Sequence, residues 1–269
     1  MNDLENIHSL SITQIRILCS KYDTMSIKEY YDDSEFLKLL DELKHDERKG
    51  VVSLFKKFNR IKEMYENEVK RVNGLYEFDR KFNVKYIAGV DEVGRGPLAG
   101  PIVAASVILD LELLIEYIDD SKKIKEEKRE ELSKIIKTCA VDYNIVELSN
   151  KEIDEKGIGY CNNEVFIRAV EGLTVKPQLV LTDGYLIKNW GKIENKHVIK
   201  GDTKSASIAC ASILAKVYRD NLMKDYHNKY SHYNFKKNVG YGTQEHVNAI
   251  KEFGVSDIHR KSFLTKLNY

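Results

Sequence analysis

Residues 85–109 limit the fold more than any other stretch. Lys85–Val90 and Ile102–Leu109 are apolar runs too short for a helix, and the second is rich in β-branched side chains. Between them lies Asp91-Glu92-Val93-Gly94-Arg95-Gly96-Pro97-Leu98-Ala99-Gly100-Pro101. Short apolar runs bounded by Gly and Pro read as strands. A lone pair of strands is marginal in water, so the chain must build a larger sheet around them. The rest of this region alternates. Lys122–Lys137 reads as a helix, Val141–Leu148 as a strand, Asn162–Glu171 as a helix, and Gln178–Thr182 and His197–Lys200 as short strands. A long helix then runs from about Ser205 to Lys229. This order predicts an α/β domain over residues 75–269, with a helical C-terminal part.

Residues 1–74 differ. They hold no proline and no convincing strand. Ser11-Ile12-Thr13-Gln14 and Ser26-Ile27-Lys28-Glu29 both match the helix capping box. Val51, Leu54, Phe55, Phe58, Ile61, Tyr65 and Val69 recur at helical spacing, predicting a helix to about Val72 that stops at Asn73-Gly74. The first 74 residues therefore read as a small all-helical module. Its beginning is acidic, while Lys49–Arg71 is basic, with Lys56, Lys57, Arg60, Lys70 and Arg71.

Composition enters as a set of exclusions. A 42% hydrophobic and 32% charged chain fits a soluble globular protein, and no apolar run approaches the ~20 residues a bilayer span needs. Met1-Asn2-Asp3-Leu4-Glu5 lacks the hydrophobic core of an export signal. Cys19, Cys139, Cys161 and Cys210 form no CxxC pair, which fits reduced thiols better than disulfides or zinc. The expectation is a cytoplasmic protein. With a formal net charge of +1, any nucleic-acid partner must be held by local basic patches.

The acids gather where strands end. Asp91-Glu92 closes the first strand, Asp183 closes Leu179-Val180-Leu181-Thr182, and Asp202 follows Val198-Ile199-Lys200-Gly201. Each alone suits a turn cap. Together they can converge on one sheet edge as hard oxygen ligands for Mg²⁺ or Mn²⁺. Two such ions about 4 Å apart support phosphodiester hydrolysis. Successive strand side chains point to opposite faces, so Asp91 and Glu92 cannot share a site in a regular strand. The expectation is that the backbone leaves β geometry there, released by Gly94 and Gly96.

The glycine-rich turn lacks GxGxxG spacing, and Pro101 leads into a strand, so it is no dinucleotide-binding turn. It suits close approach of backbone groups to a sugar, where they can sense a 2′-hydroxyl. Ala206, Ala209, Ala211, Ser212 and Ala215 make the long helix thin enough to lie close to a sheet, leaving Lys204, Lys216 and Arg219 for phosphate. Tyr241, between Gly240 and Gly242, either stacks on a sugar or base or anchors its loop to the core.

The run Ile87–Pro101 resembles the signature of the ribonuclease HII family. Asp120-Ser121-Lys122-Lys123, Thr182-Asp183-Gly184, Lys200-Gly201-Asp202, Ala215–Asp220, Gly240-Tyr241-Gly242-Thr243 and His259-Arg260-Lys261-Ser262-Phe263 resemble its later motifs in the same order. The resemblance covers about residues 75–265, and the helical extension is similar to that of longer bacterial members. One departure is Thr182, where the family more often has an apolar residue.

The resemblance implies a ribonuclease H-like mixed sheet flanked by helices. It also implies endonucleolytic cleavage of RNA paired to DNA, and of single ribonucleotides within duplex DNA, leaving 3′-hydroxyl and 5′-phosphate ends. By matching positions, Asp91, Glu92, Asp183 and Asp202 are the implied metal ligands. Gly94, Arg95 and Gly96 read the 2′-hydroxyl, and Tyr241 lies against the next sugar. Ser121, Lys122, Lys204, Lys216 and Arg219 are the remaining candidates for substrate contact. Gly94-Arg95-Gly96 and the helical extension favour this family over its sister, ribonuclease HIII. Two alternatives stay open, a non-cleaving hybrid-binding module and another nuclease on the same fold. A monomer with no membrane partner is expected.

Overall fold

In the computed structural model the described residues are 7–24 and 33–265. The chain divides into two compact units, Met1–Arg71 and Val72–Tyr269. The first unit is helical. Helix α1 (Ile12–Ser20) is capped by Ser11, and Gln14 returns a bond to the cap, completing the capping box. The box at Ser26–Glu29 and the first residues, Met1–Glu5, lie outside the described residues. Helix α2 (Ser34–Lys44) is capped by Asp33. Ile15, Cys19, Tyr22, Phe36, Leu39, Leu43, Val51 and Phe58 form the core, in which the Phe36 and Phe58 rings meet edge-on at 5.6 Å.

Helix α3 (Lys49–Arg80) does not stop at Asn73-Gly74. Val72, Leu75 and Tyr76 continue the apolar stripe and are buried in the core of the second unit. Gly74 lies on the exposed side with nothing near its Cβ position, so it costs the helix only about 1 kcal/mol.

The second unit is built on a five-stranded sheet among the described residues, in the order β3-β2-β1-β4-β5. The strands are β1 (Ile87–Val93), β2 (Ile102–Ile108), β3 (Asp142–Leu148), β4 (Leu179–Asp183) and β5 (Asn195–Val198). The β1–β2 and β2–β3 pairs are antiparallel, while β1–β4 and β4–β5 are parallel. Between these strands come helices α4 (Glu126–Cys139), α5 (Asn150–Lys156) and α6 (Ile158–Glu171). After β5 follow α7 (Ala206–Lys229), α8 (Phe235–Asn238), α9 (Gln244–Phe253) and α10 (Lys261–Leu264).

Alternation along the strands divides the core. Val103, Ala105 and Val107 face α7 and α4, whereas Ala88, Val90, Ala104 and Val180 face α5 and α6. The thin helix does lie close to the sheet. A Cβ on Gly89 would fall 2.1 Å from the Ser207 carbonyl carbon, so β1 must carry glycine there. Asp79, near the end of α3, accepts a hydrogen bond from Ser207 N at 2.9 Å. A carboxylate there suits the positive N-terminal end of α7, although burial lifts its pKa to about 6.

Two expectations are corrected. β1 runs regularly through both acids, with Asp91 opposite Ala105 and Glu92 opposite Ala104 on β2. Cross-strand bonding to β2 holds the backbone extended as far as Val93, and the turn begins only at Gly94, at φ +91°. β5 ends at Val198, earlier than expected. Lys200 adopts φ +55°, and Asp202 stands in a 3-10 turn, Gly201–Thr203. No helix among the described residues is long and apolar enough to cross a membrane.

Candidate active site

Side-chain direction follows from the pleat. Ile87 and Gly89 face α7, so Asp91 does too, and Leu179 and Leu181 place Asp183 on the same face. The parallel register pairs Val90 with Thr182, so one step further Asp91 and Asp183 stand side by side at the carboxyl ends of adjacent strands. Glu92 springs from the opposite face, yet its carboxylate remains within the electrostatic reach of Asp183. Asp202 joins through its turn, because Gly201 N donates to Asp183 Oδ1 at 2.6 Å.

Asp91 is only 8% exposed. Burial raises its pKa well above the ordinary carboxylate value, and Glu92 and Asp183 raise it further. A hydrogen bond with Ser212 of α7 and one from Glu92 N, at 2.8 Å, act in the opposite sense. Glu92 is pushed to about 7 by burial and by Asp183, with Arg95 and Lys122 opposing. Asp202 is raised by burial, then Asp183 and Asp120, against Lys122 and Lys123. The causes are common: burial at a partly dry edge disfavours each charge, and the crowded carboxylates add their repulsion.

Among the described residues, no three acidic, histidine or cysteine side chains are already set around a common point as metal ligands. The fit to a cation lies in the donor chemistry. Four carboxylates share one edge, and the raised values at three of them mark burial first and crowding second, both of which a hard divalent ion would offset.

The flanking candidates separate into two groups. Lys122, Arg95 and Gly96 are exposed beside the acids, and Lys204 is exposed next to the Asp202 turn. Tyr241 is 45% exposed, and its Cε1 would lie 3.7 Å from a Cβ on Gly96, so the tyrosine borders the glycine-rich turn. Its backbone is anchored as well: Tyr241 N donates to Asn238 O at 2.9 Å, and its carbonyl meets His246 Nδ1 at 2.9 Å. Ser121 is buried, with its hydroxyl 2.9 Å from that of Ser212.

Lys216 is not left for phosphate, because it pairs with Asp220 at 2.6 Å. Asp220 also takes Arg129, which donates to the Ser121 and Ile124 carbonyls and so ties down the loop bearing Lys122.

Arg219 is the clearest correction. It is 0% exposed, and its guanidinium donates to the carbonyls of Pro101, Val239 and Ala99 at 3.0, 2.9 and 3.1 Å. A helix that packs this tightly on β1 turns Arg219 inward, where carbonyls of two loops accept from each of its three nitrogens. Arg260 acts in the same way. It is 0% exposed and donates to Gly100 O at 2.9 Å, Arg95 O at 3.0 Å and Gly94 O at 2.5 Å. Main-chain bonds Leu98 N to Gly240 O (2.8 Å), Gly100 N to Ile258 O (2.9 Å) and Arg260 N to Leu98 O (2.8 Å) complete the knot. A side chain at Gly94 would collide with Arg219 Nε at 2.2 Å. Residues 94–101, 238–241 and 256–260 are thus one fastened body beside the acids.

Nothing in the sequence marked a role for Arg260, Arg129, Asp220 or Tyr185, and Ser212 stood out only as a small residue of the thin helix. Arg260 stood within a recognised motif, but a basic residue near a chain's end carries no signal of burial.

The family model for ribonuclease HII matches residues 88–266, and that for the ribonuclease HII N-terminal domain matches residues 26–83. Ribonuclease HII of Clostridium beijerinckii is 60% identical over 268 residues, covering 98% of this chain and 98% of that protein. Its counterpart from Clostridium perfringens is 57% identical, covering 98% and 96%. Among solved structures, ribonuclease H2 of Pyrococcus horikoshii matches with a TM-score of 0.56 at 27% identity, covering 66% of this chain and 93% of that one. A chain from the PCNA:RNase HII complex of Archaeoglobus fulgidus matches in fold with a TM-score of 0.56 at 23% identity, covering 68% and 95%. The mixed sheet flanked by helices is therefore a ribonuclease H-like fold, and the chain belongs to the ribonuclease HII family, hydrolases of the type 2 ribonuclease H class.

Proposed function

We propose that this protein cleaves the RNA strand of RNA/DNA hybrids and cuts at single ribonucleotides embedded in duplex DNA, giving 3′-hydroxyl and 5′-phosphate ends. The observation that carries this reading is the pairing of Asp91 and Asp183 at the carboxyl ends of β1 and β4, with Glu92 raised to about 7 beside them. Asp91, Glu92, Asp183 and Asp202 are the residues that would hold Mg²⁺ or Mn²⁺, two ions with substrate bound. Such ions supply an activated water and a positive charge for the departing 3′-oxygen.

The protein's own groups position the strand. Backbone groups of Gly94, Arg95 and Gly96 meet the 2′-hydroxyl, and the fastening by Arg219 and Arg260 keeps them in place without reorganisation. Tyr241 packs against the following sugar and favours a deoxyribose there. Lys122 and Lys204 take phosphate oxygens, while Ser121 ties the loop that carries Lys122 to Ser212 of α7. The working form is a monomer.

The test is cleavage of three duplexes: a long hybrid, a DNA duplex with one ribonucleotide, and an all-DNA duplex. Each is assayed in Mg²⁺ or Mn²⁺, with and without chelator. Cutting of the first two alone, abolished by chelator, is expected. Asp91→Asn should abolish cleavage while hybrid binding persists, and turnover at the wild-type rate in that variant would remove Asp91 from the site. A wild-type protein that binds hybrid without cutting it would favour the non-cleaving module.

A further inference from the structure

The turn after β4 carries a contact that none of the assigned roles uses. Tyr185 is 49% exposed, two residues beyond Asp183, and the Arg95 guanidinium lies over its ring at 4.7 Å from the centroid. A guanidinium over an aromatic face is attracted by the ring quadrupole. Arg95 is otherwise exposed, so the ring and the nearby Glu92 charge are what its side chain meets.

Tyr185 is itself held. Gly184 takes φ +66°, and Tyr185 N donates to Asp183 O at 2.7 Å, closing a tight turn. Beneath it the fully buried Thr182 hydroxyl donates to Tyr185 O at 2.5 Å, with Lys196 O at 3.4 Å. An apolar residue at 182 could not make that bond. Thr182 thus pins the turn that presents the tyrosine. Arg95 is consequently gripped at two points. Arg260 holds its carbonyl and the Tyr185 ring holds its guanidinium.

We propose that Tyr185 is a positioning residue for the ribose reader. Stacked on Arg95 and pinned by Thr182, it links the Asp183 turn to the Gly94–Gly96 loop and fixes the loop in the pose that accepts a 2′-hydroxyl. The proposal rests on the ribonuclease reading above. It predicts that the ring matters and the phenol oxygen does not, and that Tyr185 acts only through Arg95.

The test uses the full-length protein and a DNA duplex with one ribonucleotide. Tyr185→Leu should lower kcat/KM three- to tenfold, with duplex affinity in chelator within twofold of wild type and an unchanged unfolding temperature. Tyr185→Phe should stay within twofold of wild type. Adding Tyr185→Leu to Arg95→Ala should cause no further loss. Wild-type kcat/KM in Tyr185→Leu, equal losses in Leu and Phe, or losses that multiply with Arg95→Ala would each overturn the proposal. The stack has a second readout that needs no turnover. The Arg95 side-chain protons should show an upfield ring-current shift in NMR spectra, kept in Tyr185→Phe and lost in Tyr185→Leu. An inactive wild type with that shift present would sink the ribonuclease reading alone, whereas an active wild type without it would sink the stack alone.

Discussion

Arg219 and Arg260 take positive charge into the interior to satisfy backbone. Six carbonyl contacts from two side chains leave the loops at 94–101, 238–241 and 256–260 little freedom. Burial lowers their pKa values to about 10 and about 9, and Arg219 adds to the lowering at Arg260, yet both remain cations at neutral pH. A lysine cannot reproduce the forked donor geometry. Arg260→Lys should therefore destabilise by about 3 kcal/mol, lowering the unfolding temperature by roughly 6–12 °C in calorimetry. A shift under about 2 °C would mean that the carbonyls find other donors.

The same knot contains a pair of buried histidines with a defined proton order. Ser256 N donates to His259 Nδ1 at 2.9 Å, His259 Nε2 meets His246 Nε2 at 3.0 Å, and His246 Nδ1 meets Tyr241 O at 2.9 Å. Only a neutral pair fits this chain, since a further proton would set two N–H groups against each other. Burial, with His246 and then His232, lowers His259 from 6.5 to about 4, and burial lowers His246. Between pH 6.5 and 4 the unfolded chain binds protons that the native one refuses, so this contribution is present above pH 6.5 and lost as pH falls. Asp79, raised to about 6, works in the opposite direction, so a difference measurement is needed. The stability gap between wild type and His259→Gln should shrink by roughly 2 kcal/mol from pH 7 to 4.5. A constant gap across that range, by urea unfolding, would contradict the assignment.

Among the elements, β1 and α7 determine most of the architecture. Gly89 lets them touch, and Gly89→Ala would press a methyl group into the Ser207 backbone. That substitution should cost about 3 kcal/mol or more, read from the denaturant midpoint. An unchanged midpoint would mean that α7 can lift away freely. The existence of these elements was legible in the sequence, because short β-branched runs and an alanine-rich helix carry strong local patterns. Asp183 at the end of β4 was legible for the same reason, whereas Asp202 lies in a turn beyond the end of β5. The regular course of β1 through Asp91 and Glu92 was not, since it depends on β2 supplying partners as far as Val103. The continuation of α3 past Gly74 was hidden likewise, because burial of Tyr76 is decided by the distant Ile115 and α7. Arg219 looked like any helix cation until the loops it ties were in view.

For the whole molecule, a net charge of +1 gives no general attraction to a polyanion, so hybrid binding depends on where basic residues gather. Lys49–Arg71 of α3 is one such place, although Lys57 pairs with Asp23 and Arg71 with Glu68. We expect deletion of residues 1–71 to weaken hybrid binding and to flatten its dependence on salt between 50 and 200 mM. The cut belongs before Val72, which is buried in the core of the second unit. Identical affinity and slope by fluorescence anisotropy would show that the helical unit takes no part.

The fastening of the glycine-rich turn also imposes an order in time. A ribosome releases the carboxylates first, Asp202 last among them, while the guanidinium that grips Gly94 and Arg95 comes from residue 260, 166 positions beyond Gly94. At about 5–20 residues per second, several seconds separate the two during synthesis. A nascent chain therefore owns its acids before the turn at Gly94 and Arg95 is fastened, and the carboxylates are all made while that turn is still loose.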